Sequence, residues 1–394
     1  MRKLLLAMLV LFISATVFSQ IANEIVLAKK RHIQSKVLDE NRTILVSTPL
    51  GYDQSNTAYP VMYVLDGSVN TILFASGLVS DLSSRVLCPE MIIVAIENTD
   101  RFRDMTPTPY DRNPNLASGG ADKFLKFIET ELFPFIEKEY RTLPYRIFKG
   151  HSASGMCVIH AFLSHNQMFN AYIGISPNLW WDSNLFSNTA DEKLDKMNLK
   201  HKHLYFSTGS KETAHNIDGG QTFYETLKKK NPTMLKWKFD HIQDEDHGSL
   251  GTIAFYNALR FIYSGWKFDM QKARSNGLSY IDEFLKIQSE IYGYEISPSE
   301  AEITSIGYML LRQKKYVEAI EAFQRNIPKN PQSANVYDCL GDAYLAYKEY
   351  DLSIKNYKKA IELGTLNEDE NLETYKRNLE KATELKNNTK KEDQ

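Results

Sequence analysis

Cysteine is scarce in this chain. Three thiols in 394 residues, at positions 88, 157 and 339, make neither a disulfide framework nor a metal-ligand spacing. An excess of charge of one sign is missing too. The 47 Lys+Arg and 49 Asp+Glu leave a formal net charge of -2, so no global field points to a nucleic-acid or strongly anionic partner. Long polar stretches are few, and 20 Phe, 22 Tyr and 4 Trp supply ample core material, which excludes disorder for most of the chain. The apolar run from Leu4 to Ile13 falls well short of the roughly 18–20 residues that a membrane-spanning helix requires. What remains is a globular composition, 43% hydrophobic and 24% charged, long enough for two or three domains.

The short apolar run follows Met1-Arg2-Lys3 and precedes Val17 and Ser19, the positions that signal peptidase reads. It predicts a cleaved secretory signal over residues 1–19, with Gln20 as the mature start and a periplasmic or secreted location. No Cys follows the run, so a lipid anchor is unsupported, and no membrane span remains after cleavage.

The middle of the chain alternates two patterns. Val61–Leu65, Met91–Ile96 and Ala171–Ile175 are short continuous apolar runs, as suits strands buried on both faces. Between them, Phe124, Leu125, Ile128, Leu132, Phe135 and Ile136 mark a helical stripe. The alternation predicts an α/β fold, a mostly parallel central sheet with helices on both faces. Ligands of such folds bind at the carboxyl ends of the strands.

A motif lies where that rule places it. Tyr145–Lys149 reads as a strand and Met156–Leu163 as the apolar start of a helix, with Gly150-His151-Ser152-Ala153-Ser154-Gly155 between. Such a strand-to-helix turn lifts the serine hydroxyl above the sheet edge and needs small neighbours to close. The Ala153 amide and the helix N-terminus would then face an oxyanion. A strict G-x-S-x-G would have Gly where this chain has Ser154.

Serine requires a base, and the base requires an orienting acid. His247 is the favoured base, in a loop after the last strand and just before an apolar helix; His241, ending that strand, is the alternative. Glu212, on the turn after the strand Leu204–Thr208, is the candidate acid, with Asp218 behind it. Asp244-Glu245-Asp246 has neither a second His nor a calcium-loop spacing, so no metal site is expected there.

From about Gln34 to Tyr263 the chain resembles the putative-esterase family of the α/β-hydrolase superfamily, which includes esterase D-like, siderophore and carbohydrate esterases. The stretches that carry the resemblance are Tyr59–Gly67, Asp100–Pro107, the serine turn, Ser176–Trp181 and Asp246–Ser249. The resemblance implies an α/β-hydrolase fold, Ser152 as nucleophile, His247 as base and an acid matching Glu212. It implies a second oxyanion donor from a backbone amide at Gly67 or Ser68, with Asp66 bracing that loop. No cofactor is needed, and the substrate would be a small-molecule or glycan ester. Trp180 and Trp181 would wall the pocket or pack in the core. Arg101 and Arg103 would bind an anionic or hydroxyl-rich substrate, or pair with Asp100 and Asp104.

The C-terminal part repeats. Gly307 and Gly341 are 34 residues apart, and at the same offset Ile306 matches Leu340, Ala319 matches Ser353 and Phe323 matches Tyr357. This resembles two tetratricopeptide helix pairs, Glu300–Asn330 and Pro331–Leu363, with a capping helix near Leu372–Leu385. The expected division is a hydrolase domain over 20–270, a linker helix over 271–299, repeats over 300–385 and a disordered tail over 386–394. Two repeats are marginal alone, so they should dock on the hydrolase domain, or offer a groove for a protein partner or for self-association. The rival reading of the whole is a catalytically weak, hydrolase-like binding protein whose repeats recruit a partner.

Overall fold

The computed structural model describes residues 26–110, 113 and 115–392, so the expected signal segment lies outside the described residues. The first half runs β1 (Lys29–Ser35), β2 (Glu40–Ser47), β3 (Tyr59–Val64), α1 (Val69–Ser84), β4 (Ile92–Ile96) and α2 (Arg101–Met105). Helices α3 (Ala121–Phe127) and α4 (Phe133–Glu139) follow, joined by a π-turn over Ile128–Leu132, then β5 (Thr142–His151), α5 (Ala153–Ser164) and β6 (Ala171–Ile175). After these come α6 (Trp181–Lys193), β7 (Lys202–Gly209), α7 (Ala214–Lys230), β8 (Leu235–Ile242) and α8 (Leu250–Ile262).

The eight strands form one sheet in the order β1-β2-β4-β3-β5-β6-β7-β8. β1 pairs antiparallel with β2 and β2 antiparallel with β4; the other neighbours are parallel. The apolar runs have the expected cause. In β3, Val61 and Tyr63 face one core with Phe124, Ile128 and Phe162. Met62 and Val64 face the other, with Ile72 of α1 and Ala254 and Leu259 of α8. A strand covered on both faces loses the polar alternation of a half-exposed one. In the expected helical stripe, the wider π-turn brings Phe133 into the core and leaves Phe135 only half-buried.

The rest is helical: α9 (Met270–Tyr292), α10 (Glu300–Arg312), α11 (Tyr316–Asn326), α12 (Ala334–Ala346), α13 (Tyr350–Leu366) and α14 (Leu372–Glu392). The repeated glycines have a packing reason. A Cβ on Gly307 would stand 2.4 Å from the Phe323 ring, and one on Gly341 2.6 Å from the Tyr357 ring. Each helix pair thus closes by laying an aromatic ring on a bare backbone, and the period records that contact. One expectation is corrected: no break occurs at residue 386, because α14 continues to Glu392. Lys386 pairs with Asp351, and Thr389 Oγ1 donates to Leu385 O at 2.9 Å, which holds the extra turns.

The helices attach at the amino ends of the strands. Tyr292, at the end of α9, meets Tyr145 of β5, stacks on His203 of β7 and donates its hydroxyl to Ile262 O at 2.9 Å. Among the described residues no helix is long and apolar enough to cross a membrane.

Candidate active site

The carboxyl ends of β3, β5, β7 and β8 carry Gly67 and Ser68, Ser152 and Ala153, Glu212, and His247. Ser152 sits between β5 and α5 at φ 63° and ψ -125°, a region that costs a residue with a side chain about 1–3 kcal/mol. Its amide donates to Ile175 O at 2.9 Å and its carbonyl accepts Met156 N at 2.9 Å, so both neighbouring elements hold the turn. The small residues are needed as expected: a Cβ on Gly150 would lie 2.3 Å from Ser154 O.

Ser154 is fully buried and structural in its effect. Its Oγ accepts His151 N at 2.8 Å and donates to Asp66 Oδ2 at 2.7 Å. Asp66 in turn accepts Arg101 at 2.7 and 3.0 Å and Asn98 Nδ2 at 2.8 Å. Burial alone would raise the Asp66 pKa, but these hydrogen bonds outweigh it and lower it. Asp66 therefore ties the loop after β3 to the serine turn.

That loop corrects one expectation. The Gly67 amide is committed to Ile96 O at 2.7 Å, so it is unavailable to an oxyanion. A Cβ there would lie 2.5 Å from the Ile96 carbonyl carbon, which is why glycine stands at this approach. Among the described residues, the amides of Ser68 and Ala153 have no protein acceptor. Ser68 also caps α1 through its Oγ, which accepts Thr71 N at 3.1 Å.

His247 lies in the loop between β8 and α8. Asp246 shapes the loop by accepting Gly248 N at 2.8 Å and Ser249 N at 2.9 Å on Oδ1. His247 Nδ1 stands 2.9 Å from Glu212 Oε2 and 2.7 Å from Ser176 Oγ. Its ring centroid is 5.0 Å from that of His151, beside the serine. With Nδ1 occupied, Nε2 is left for proton transfer. Among the described residues Ser152 Oγ makes one hydrogen bond, to Asn178 Oδ1 at 3.4 Å.

The Glu212 side chain is completely buried. Oε1 accepts Gly209 N at 2.7 Å, and Oε2 accepts Ser176 Oγ and Asn216 Nδ2, the latter at 2.8 Å, besides facing His247. Burial pushes its pKa up, but these donors prevail and hold it down at about 2. His151 moves to about 4, first through burial and then through the His247 and Lys149 charges. Lys149 is brought down to about 8 by burial.

The structure brings Ser152, His247 and Glu212 to one sheet edge and leaves the alternatives elsewhere. His241 Nδ1 is 3.1 Å from Thr208 Oγ1, and Asp218 is exposed on α7 without a bond to His247. Arg103 takes the pairing role, not the substrate-binding one. Its guanidinium binds Asp104 at 2.7 Å and Glu40 at 2.8 and 3.1 Å, within an ion network that includes the buried Arg42. Trp181 is likewise core: it is 5% exposed, stacks on Tyr110 and donates to Thr108 Oγ1 at 2.8 Å. Trp180 is half-buried and donates its indole N–H to Asn216 Oδ1 at 2.8 Å. Ser176 and Asn216 escaped sequence reasoning as site residues. The available signals were the place of Ser176 directly after β6 and the four-residue step from Glu212 to Asn216.

A family model described as "Putative esterase" matches residues 35–249, more than half of the chain. The chain belongs to this esterase family. It is a carboxylic ester hydrolase with an α/β-hydrolase fold. The esterase is 28% identical over 249 residues to "Ferri-bacillibactin esterase BesA" of Bacillus subtilis (strain 168), covering 57% of this chain and 86% of that one. It is 28% identical over 170 residues to "Siderophore triacetylfusarinine C esterase" of Aspergillus fumigatus, covering 40% of this chain and 58% of that one. Among solved structures, it resembles an IroE-like serine hydrolase from Shewanella oneidensis with a TM-score of 0.65 and 28% identity, over 75% of this chain and 96% of that chain.

Proposed function

We propose that this esterase is a secreted serine hydrolase that cleaves siderophore esters through an acyl-enzyme intermediate. The observation that carries the mechanism is the His247 imidazole, held at Nδ1 by the buried Glu212 carboxylate at 2.9 Å beside the strained Ser152 turn. His247 Nε2 takes the Ser152 proton as Oγ bonds to the ester carbonyl carbon. The amides of Ala153 and Ser68 hold the resulting oxyanion. Collapse breaks the ester bond, and His247 returns the proton to the departing alkoxide. Water, deprotonated by the same imidazole, then releases the acid and restores Ser152.

The siderophore class rests on the names of the two curated relatives. Trp180, bonded to Asn216, and the half-exposed Arg101, bonded to His151 O, would border the mouth of the site. Cleavage after Ser19 would release the mature chain. The repeated helices would serve as a docked appendage, separate from the chemistry.

The deciding experiment compares nitrophenyl acetate hydrolysis by wild type and Ser152→Ala. Activity should fall to background in the variant, and equal activity would end the nucleophile assignment. Incubation with trilactone siderophores and with acetylated or feruloylated glycans separates the substrate classes: turnover of the glycans alone would replace the siderophore reading.

A further inference from the structure

One group of ionisable side chains lies outside the site and has no part in the mechanism. Asp122, in the first turn of α3, accepts two imidazoles on a single oxygen, Oδ1. His160 Nε2 is 2.7 Å away and His165 Nε2 is 2.8 Å away. His160 stands five residues before His165, the C-cap of α5, so the pair comes from one helix end. All three ligand atoms lie within 4.8 Å of one another, and the two rings meet nearly edge to face at 68°.

We infer that Asp122, His160 and His165 form a binding site for a divalent first-row transition metal of the zinc type. Two neutral imidazole nitrogens and one carboxylate oxygen are a borderline donor set that suits Zn²⁺ and disfavours Ca²⁺ and Mg²⁺, which take oxygen ligands. Tetrahedral zinc, with bonds of about 2.0–2.1 Å, requires ligand atoms about 3.3 Å apart. The two N–O separations must then widen by only about 0.5 Å from their present values of 2.7 and 2.8 Å. The Asp122 side chain is 65% exposed and can give by that amount; it also leaves solvent a path to the ion and to a fourth, water-filled position. Binding moves each imidazole proton from Nε2 to Nδ1, with no net proton release from neutral rings.

One feature of the surroundings supports a cation here. The site is at the C-terminal end of α5, where the helix dipole favours positive charge. The metal would be structural. At a rise of about 1.5 Å per residue, the length of α5 sets it roughly 17 Å from Ser152, where it pins α3 to the helix that bears the serine turn.

The test uses the full chain stripped with chelator, titrated separately with Zn²⁺, Ca²⁺ and Mg²⁺ by calorimetry and thermal unfolding. Wild type should bind one Zn²⁺ and gain at least about 3 °C in unfolding midpoint at saturating metal, with no response to Ca²⁺ or Mg²⁺. His165→Ala should lose both effects. Asp122→Asn, which keeps a hydrogen-bond acceptor for the rings and hence the fold, should bind at least tenfold more weakly. His247→Ala should bind as wild type does. Zinc binding unchanged in His165→Ala and Asp122→Asn, or abolished in His247→Ala, would overturn the assignment, as would a wild type that binds no zinc.

Discussion

At Glu212 one buried carboxylate answers to four donors, and this decides both its charge and the geometry of His247. Glutamine in its place would offer an amide N–H to His247 Nδ1 and select the wrong tautomer. Glu212→Gln should therefore lower kcat/KM for nitrophenyl acetate by about 10²- to 10⁴-fold; a loss under threefold would remove Glu212 from the triad. The same residue governs acid stability. Its folded pKa of about 2 lies below the ordinary value of about 4.3, so its contribution is complete above that higher value and vanishes as pH falls through the lower one. Denaturant unfolding between pH 4 and 2 should show wild type losing stability more steeply than Glu212→Gln.

At the scale of elements, the serine turn and the helix pairs share one device: a bare backbone accepts a close neighbour. In the helix pairs the neighbour is a ring. Gly307→Ala would push a methyl into Phe323, which is 1% exposed and has no free space to move into. The expected cost is about 1–3 kcal/mol, read from denaturant unfolding of the full chain, with ester hydrolysis unchanged. Equal stability would show that the 34-residue period records something other than this contact. The continuous apolar runs and the serine turn were legible because they are local, each within one strand or one strand-to-helix junction. Ser176 and Asn216 were not, because their role exists only once β6, α7 and the His247 loop converge.

Across the whole molecule the two halves divide the labour by position. The site occupies the carboxyl ends of the strands, and the helices grip the amino ends through Tyr292 among Tyr145, His203, Tyr263 and Trp266. Tyr292 is 1% exposed, so Tyr292→Ala should cost about 3–5 kcal/mol and uncouple the halves. Differential scanning calorimetry should then resolve two transitions where wild type has one, while activity at room temperature stays near wild type. A single, merely shifted transition would mean that other contacts carry the coupling.

By itself the sequence determined the strands, the serine turn and the helical repeat. Each of these follows from steric and hydrophobic constraints acting over a few neighbouring residues. Only the tertiary structure decided that Arg103 turns to Glu40 and Asp104, and that the Gly67 amide is spent on Ile96, leaving Ser68. It also decided that Trp181 is core and that Ser176 and Asn216 hold the Glu212 carboxylate. The physical reason is the same in each case. Whether an arginine, an amide or a ring is free for a ligand depends on which distant segment reaches it first, and that is set by the strand order β4-β3-β5-β6-β7 and the loops it brings together.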